Sequence, residues 1–214
     1  MRPVSCLVLF LILCSCGPAQ TGDDGPVVDP ETDPQPLPQP APAPPTDYTF
    51  AVGESFGRVA YADGLDELAA AYGEDFAPTT IDGPEGTTYE GYALFPGTPR
   101  EVFVTYLPAR RLAFDVRRPD SPWTGYGGRF RAGMTLDELT ALNGQPVTFS
   151  GLGWDYGGYV LDWNGGALDD LTVRLDYDGS AAAESIMGDA EFSSADVAPE
   201  LRSQVRVSSF VVRM

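Results

Sequence analysis

The chain has 214 residues, enough for one or two domains, and a formal net charge of −18, from 31 acidic residues against 13 cationic ones, all arginine. Such a charge repels nucleic acid and anionic lipid headgroups. There is no histidine, and the three cysteines, Cys6, Cys14 and Cys16, all lie near the start. The remainder therefore has no imidazole or thiol for Ser-His-Asp or Cys-His catalysis, for zinc ligation or for a disulfide.

Residues 1–15 read as a signal peptide: Arg2 supplies the positive start, and Leu7 to Leu13 an apolar run too short to span a bilayer. Leu13-Cys14-Ser15-Cys16 resembles the lipobox of bacterial lipoproteins. The resemblance implies cleavage before Cys16, acylation of Cys16, and attachment to a membrane through that lipid, at the outer membrane or cell surface. An ordinary secretory signal with incidental cysteines is the other reading. Residues 16–47 then form the lipidated cysteine and a Pro-rich linker holding half of the 20 prolines. That composition cannot bury a core and predicts a disordered, extended tether, which at about thirty residues would reach roughly 90 Å.

The folded part is expected from Tyr48. Ser55 to Val59 looks extended. Asp63 is a candidate cap for a helix over Leu65 to Tyr72, whose apolar stripe is Leu65, Leu68, Ala69 and Tyr72, closed by Gly73. Pro96-Gly97 marks a turn before the alternating Val102, Val104 and Tyr106, and Arg111 to Arg117 reads as a strand. Thr135 with Glu138 three residues on forms a capping box. Leu136, Leu139 and Leu142 make the stripe of that second helix, Asn143-Gly144 stops it, and Pro146 bars its continuation. An extended, aromatic-rich run follows to Trp163, then an Asn164-Gly165 turn and a strand over Leu171 to Leu175. Asp178 to Ser203 is an insertion with a short helix at Ala181 to Met187 and a turn at Pro199, before a last strand, Val205 to Val212.

Two stretches repeat in order. Gly57-Arg58, Leu65-Asp-Glu-Leu68, Gly73 and Tyr89-Glu-Gly-Tyr92 match Gly128-Arg129, Leu136-Asp-Glu-Leu139, Gly144 and Tyr156-Gly-Gly-Tyr159. Several matches at nearly one offset predict an internal duplication, with repeats over 48–118 and 119–214. The expected class is α+β: two tandem strand-helix-meander repeats sharing one continuous antiparallel sheet, with helices on one face. This pattern resembles the tandem β-lactamase-inhibitor-protein-like architecture, also seen as a single copy in small outer-membrane assembly lipoproteins. Asn143-Gly-Gln-Pro146 with Gly151-Leu-Gly-Trp-Asp-Tyr-Gly-Gly158 resembles the signature of a family of secreted bacterial proteins, Leu152 standing where Phe is usual. Trp123-Thr124 and Gly188-Asp-Ala-Glu-Phe192 are similar to that family too. The resemblance implies a fold and carries no activity.

Trp154, Asp155, Tyr156 and Trp163, with Trp123 and Tyr126 upstream, are the candidate ligand or partner surface, since aromatics beside carboxylates suit a carbohydrate platform. Strand alternation fits core packing equally, placing Trp154 and Tyr156 on one face and Asp155 on the other. Asp155 with Asp162 is a candidate glycosidase pair. Asp162 to Asp170 offers oxygen ligands for calcium, or a plain Asn-Gly turn with solvated aspartates. Arg110, Arg111, Arg117 and Arg118 suit an acidic partner or neighbouring carboxylates, although parity sets Arg111 and Arg117 on one face and Arg110 and Arg118 on the other. No catalytic residue, cofactor or metal is predicted. The expected function is that of a lipid-anchored bacterial cell-envelope protein, a non-catalytic protein-binding or scaffold module with an envelope protein as partner. A glycan-binding or glycan-cleaving surface lipoprotein is the alternative.

Overall fold

A computed structural model describes residues 48–108, 111–177, 179 and 182–214. The expected signal peptide, Cys16, the Pro-rich stretch and Arg110 lie outside the described residues. The architecture is mainly β, with antiparallel sheets and a few short helices. No helix among the described residues is long and apolar enough to cross a membrane.

A small sheet opens the described part, with β1 (Phe50–Ala51), β2 (Ser55–Phe56) and β3 (Val59–Ala60). Helix α1 (Leu65–Tyr72) follows, buries Leu68 and Tyr72, and starts at Gly64 rather than Asp63. The Asp63 carboxylate accepts instead from the Ala60 N–H at 2.7 Å, while Glu67 accepts the Gly64 N–H at 2.9 Å. Then come β4 (Phe76–Asp82), β5 (Thr88–Leu94), β6 (Val102–Leu107) and β7 (Arg111–Val116), a meander in which each strand pairs with the next. A hairpin of β8 (Thr124–Gly125) and β9 (Phe130–Arg131) leads to α2 (Leu136–Asn143). Its capping box forms as the spacing requires: Thr135 Oγ accepts from Glu138 N, Glu138 accepts from Thr135 N, and Gly144 ends the helix in the left-handed region at φ 76°.

After α2 lie β10 (Thr148–Ser150), β11 (Val160–Asp162), β12 (Thr172–Tyr177), β13 (Glu191–Ser193), a short helix α3 (Pro199–Arg202) and the long β14 (Val205–Arg213). The strands expected to form one continuous sheet are divided. A six-stranded sheet runs β12-β14-β7-β6-β5-β4, and a separate three-stranded sheet runs β11-β10-β13. Among the described residues, β12 is joined in ladder pairing to the segment leading into β11 by one isolated bridge, Tyr159 to Arg174. The turn over Trp154–Gly157 draws the chain away there, and Thr148/Phe149 marks a register shift. The insertion supplies β13, which takes the free edge of β10, and the helix expected over Ala181 to Met187 is a 3-10 segment, Ala182–Ile186.

In the six-stranded sheet, alternation assigns two faces. Leu94, Val102, Val104, Leu112, Phe114, Val116, Val173, Leu175, Phe210 and Val212 are buried in one cluster with Phe56, Leu68, Trp123, Leu136 and Leu139. This packing of apolar surface is the dominant stabilising contribution, at about 25 cal/mol per Å2 removed from water. The alternate positions, among them Asp115, Thr172, Arg174 and Val211, face the other way.

Candidate functional site

That second face holds a groove of about 610 Å3. Its floor is three neighbouring strands: Asp115 on β7, Ser208 to Val211 on β14, and Thr172, Arg174 and Asp176 on the edge strand β12. One wall is the tip of the β4–β5 hairpin, Asp82 to Gly86, and the other is Asp155, in the Trp154–Gly157 turn, with Tyr159 beyond it. The tip and the turn meet. The Glu85 N–H donates to Asp155 Oδ2 at 3.2 Å, across 70 residues of sequence. Glu85 reaches that position with a left-handed φ of 56°, unusual for a residue with a side chain.

The two groove arginines are both held internally. Arg117 donates from Nε to Asp115 at 2.7 Å, from one terminal nitrogen to the Asp82 carbonyl at 2.7 Å, and from the other to the Tyr89 hydroxyl at 3.3 Å. Its guanidinium also lies 5.0 Å from the Phe103 ring centroid. Arg174 donates to the carbonyls of Gly157 at 2.9 Å and Trp154 at 3.2 Å, and sits 5.4 Å from the Tyr159 ring centroid. It thereby fixes the aromatic turn to the floor. Burial pushes the Asp115 carboxyl above the ordinary carboxylate range, and the adjacent Arg117 only partly offsets this. Partial burial, then the charge of and hydrogen bond to Glu85, then Asp155, raise the Tyr156 phenol.

The six candidate surface residues separate. Asp155 lines the groove, and its neighbours Trp154 and Tyr156 in the same turn are 38% and 45% exposed, with ring centroids 5.6 Å apart. They lie in a turn, not in a strand, so strand parity does not govern their directions. A smaller hollow of about 290 Å3 beside Trp154 shares Asp155, Arg174 and Asp176 with the groove. Trp123 and Trp163 are buried, and their indole N–H groups donate to the carbonyls of Arg100 at 2.9 Å and Leu171 at 3.1 Å. The Trp123 ring lies 4.2 Å from that of Phe56, tilted by 30°. Tyr126 is half-buried in the β8–β9 turn, its phenol pushed up to about 12 by burial and by the charges of Asp170 and Asp169.

Asp162 accepts from the Asn164 N–H at 2.7 Å, closing a turn on its own side chain. Asn164 in turn donates to the Pro146 carbonyl at 2.9 Å. Among the described residues no group of three or more acidic side chains is gathered closely enough to hold a metal ion. The Asn-Gly-x-Pro turn is structural. Asn143 is buried, donates to the carbonyls of Gln145 and Trp163, each at 2.9 Å, and accepts the Leu168 N–H at 3.2 Å. Of the other arginines, Arg111 donates to the Met214 carbonyl at 3.4 Å and Arg118 pairs with Asp120 at 3.0 Å on the surface. Of Arg111, Arg117 and Arg118, only Arg117 reaches the groove.

Sequence reasoning did not single out Glu85, Asp115, Arg174 or Asp176 as site residues. A signal was present. In Thr172-Val-Arg-Leu-Asp-Tyr177, charges fall at every second position between buried residues, which marks one strand face as polar and unpacked.

Chemically the groove offers carboxylates, aromatic faces and backbone carbonyls, with no imidazole or thiol beside them. Compared with protein-family models, with curated proteins and with solved structures, the chain has no match.

Proposed function

We propose that this chain is a lipid-anchored bacterial cell-envelope protein, held through Cys16, whose folded part is a non-catalytic protein-binding or scaffold module with an envelope protein as partner. The observation that carries this reading is the uncovered face of the six-stranded sheet: a groove of about 610 Å3 with polar and aromatic walls. A face of that kind suits partner recognition, where rigid aromatics and satisfied polar groups give specificity. The tandem-repeat reading belongs to the same proposal. Helices α1 and α2 carry the same Leu-Asp-Glu-Leu, each follows a short hairpin, and the last strands of the two halves, β7 and β14, pair antiparallel at Val116–Phe210. Two copies would then join through those strands, with their helices on one face and the groove on the other. The resemblance to β-lactamase-inhibitor-protein-like repeats and to the secreted bacterial family with the Trp-Asp-Tyr signature is part of this reading.

A photo-reactive amino acid at Ser209 or Tyr89 in the groove, and separately at the exposed Glu74 outside its lining, tests it in cells. Adducts with one envelope protein from the groove positions alone are expected, and none from the groove would overturn the reading. Radiolabelled palmitate should enter the wild-type chain and not Cys16→Ser; equal labelling would remove the anchor. A second reading, glycan binding, is favoured by one observation, the exposed Trp154 and Tyr156 beside Asp155 in the same turn. Trp154→Ala should then abolish retention on immobilised envelope polysaccharide.

A further inference from the structure

Resting on the protein-binding reading, we infer that the groove takes a basic, extended segment of its partner protein, with arginine or lysine side chains at alternate positions. Three observations carry this. The groove's two arginines are engaged within the protein, while four of its five carboxylates face no arginine among the described residues and accept only from backbone N–H or hydroxyl groups. Each of the three Arg117 nitrogens has a partner within the protein, two Arg174 nitrogens hold backbone carbonyls, and the Ser208 hydroxyl donates to the Arg174 carbonyl at 3.1 Å. An anionic partner would have to displace these contacts. Asp155 and Asp176, by contrast, have no arginine in ion pairing among the described residues, and neither do Asp82 and Glu85 at the hairpin tip. A complementary ligand must therefore bring hydrogen-bond donors and positive charge.

The second observation is the balance of charge on the lining: five carboxylates face two guanidiniums, a difference of −3. Asp115 neutralises Arg117, so the excess sits at the Asp155 and Asp176 end and at the hairpin tip. Third, the floor is a sheet face crossed at one point by the Glu85–Asp155 contact, and Trp154 stands exposed beside it. A chain lying there in extended form places every second side chain downwards, at a repeat of roughly 6.8 Å. An exposed indole is also the ring type that best receives a cationic head group. The overall charge of −18 steers a basic partner towards the surface before docking.

The test uses the full chain in zwitterionic detergent. Fluorescein-labelled peptides of one length, alternating Ser with Arg, Gln or Asp, are titrated and followed by anisotropy. The Arg peptide should bind, less tightly as salt rises, and the Gln and Asp peptides should not. The double variant Asp155→Asn with Asp176→Asn should weaken binding at least about tenfold. Removing two charges elsewhere, with Glu54→Gln and Glu74→Gln, should change it less than about twofold. Equal binding of all peptides, equal weakening by both double variants, or full competition by spermidine would overturn the inference. A groove adduct with an envelope protein whose binding ignores salt and both double variants would sink this inference and leave the protein-binding reading standing. Absence of any groove adduct would remove both.

Discussion

The backbone N–H of Glu85 is held by the carboxylate of Asp155, 3.2 Å away and 70 residues along the chain. The contact joins the tip of the β4–β5 hairpin to the aromatic turn and closes the groove at one point. Both residues are exposed, so its net contribution is small. Asp155→Ala should change the unfolding free energy by less than about 1 kcal/mol while speeding amide exchange at Glu85. Unchanged exchange at Glu85, read by mass spectrometry of deuterated protein, would show that the bridge does not order the tip.

Asn143 ties the end of α2 to the chain between β11 and β12 through two side-chain hydrogen bonds, to Trp163 and Leu168, and holds Gln145 with a third. Asn143→Ala should cost about 2–4 kcal/mol, since it leaves two carbonyls and a buried N–H without partners. Gly166→Ala should also destabilise, because a Cβ there would meet the Asn143 amide. Asn164→Gly should cost less than about 1 kcal/mol, as Asn164 is exposed and its φ of 52° suits glycine. Urea denaturation of the three variants gives the order.

The three tryptophans should quench unequally. Trp154 is 38% exposed, Trp163 7% and Trp123 1%. Trp154→Phe should remove most of the acrylamide-quenchable emission and cost little stability. Trp123→Ala should cost about 3–5 kcal/mol, as expected for a large ring removed from a packed core.

Burial raises the Asp115 carboxyl more than Arg117 lowers it, so its folded-state proton affinity exceeds the unfolded one. The sign follows from linkage. The stability that comes from the protonated form is fully present below the unfolded value and is lost as pH rises through the folded one. Asp115→Asn should therefore gain on the wild type as pH rises from about 3 to about 6. Arg117→Ala should cost about 1–3 kcal/mol at neutral pH, because it leaves that carboxylate partly buried and unpaired. Thermal melts across that pH range check both; a stability difference between Asp115→Asn and wild type that does not change with pH would contradict the assignment.

Features governed by neighbours in sequence were legible. The Thr135–Glu138 capping box, the stop at Gly144, and the strand alternation at Val102–Val104 and Val173–Leu175 depend on contacts within a few residues and form as read, whereas Tyr106, expected to continue the first alternation, is exposed at the end of its strand. The cap of α1 was misread as Asp63 because its carboxylate had a competing local donor, the Ala60 N–H. Composition likewise decided which chemistry the chain lacks, since no folding creates a histidine.

Which aromatics face water was not legible. Trp123 and Trp154 are the same residue type, and one enters the core only because β2, Tyr48 and the chain near Arg100 converge on it. The division of the sheet and the groove itself arise the same way. Glu85 and Asp155 carry no mark of each other, and their meeting depends on the sheet's register and on the Arg174 contacts that hold the turn. Residue type and short-range spacing decided the helix ends and strand faces, because those energies are local. Burial, the split sheet and the charged groove were decided by packing between distant segments, whose free energy exists only once the chain has folded.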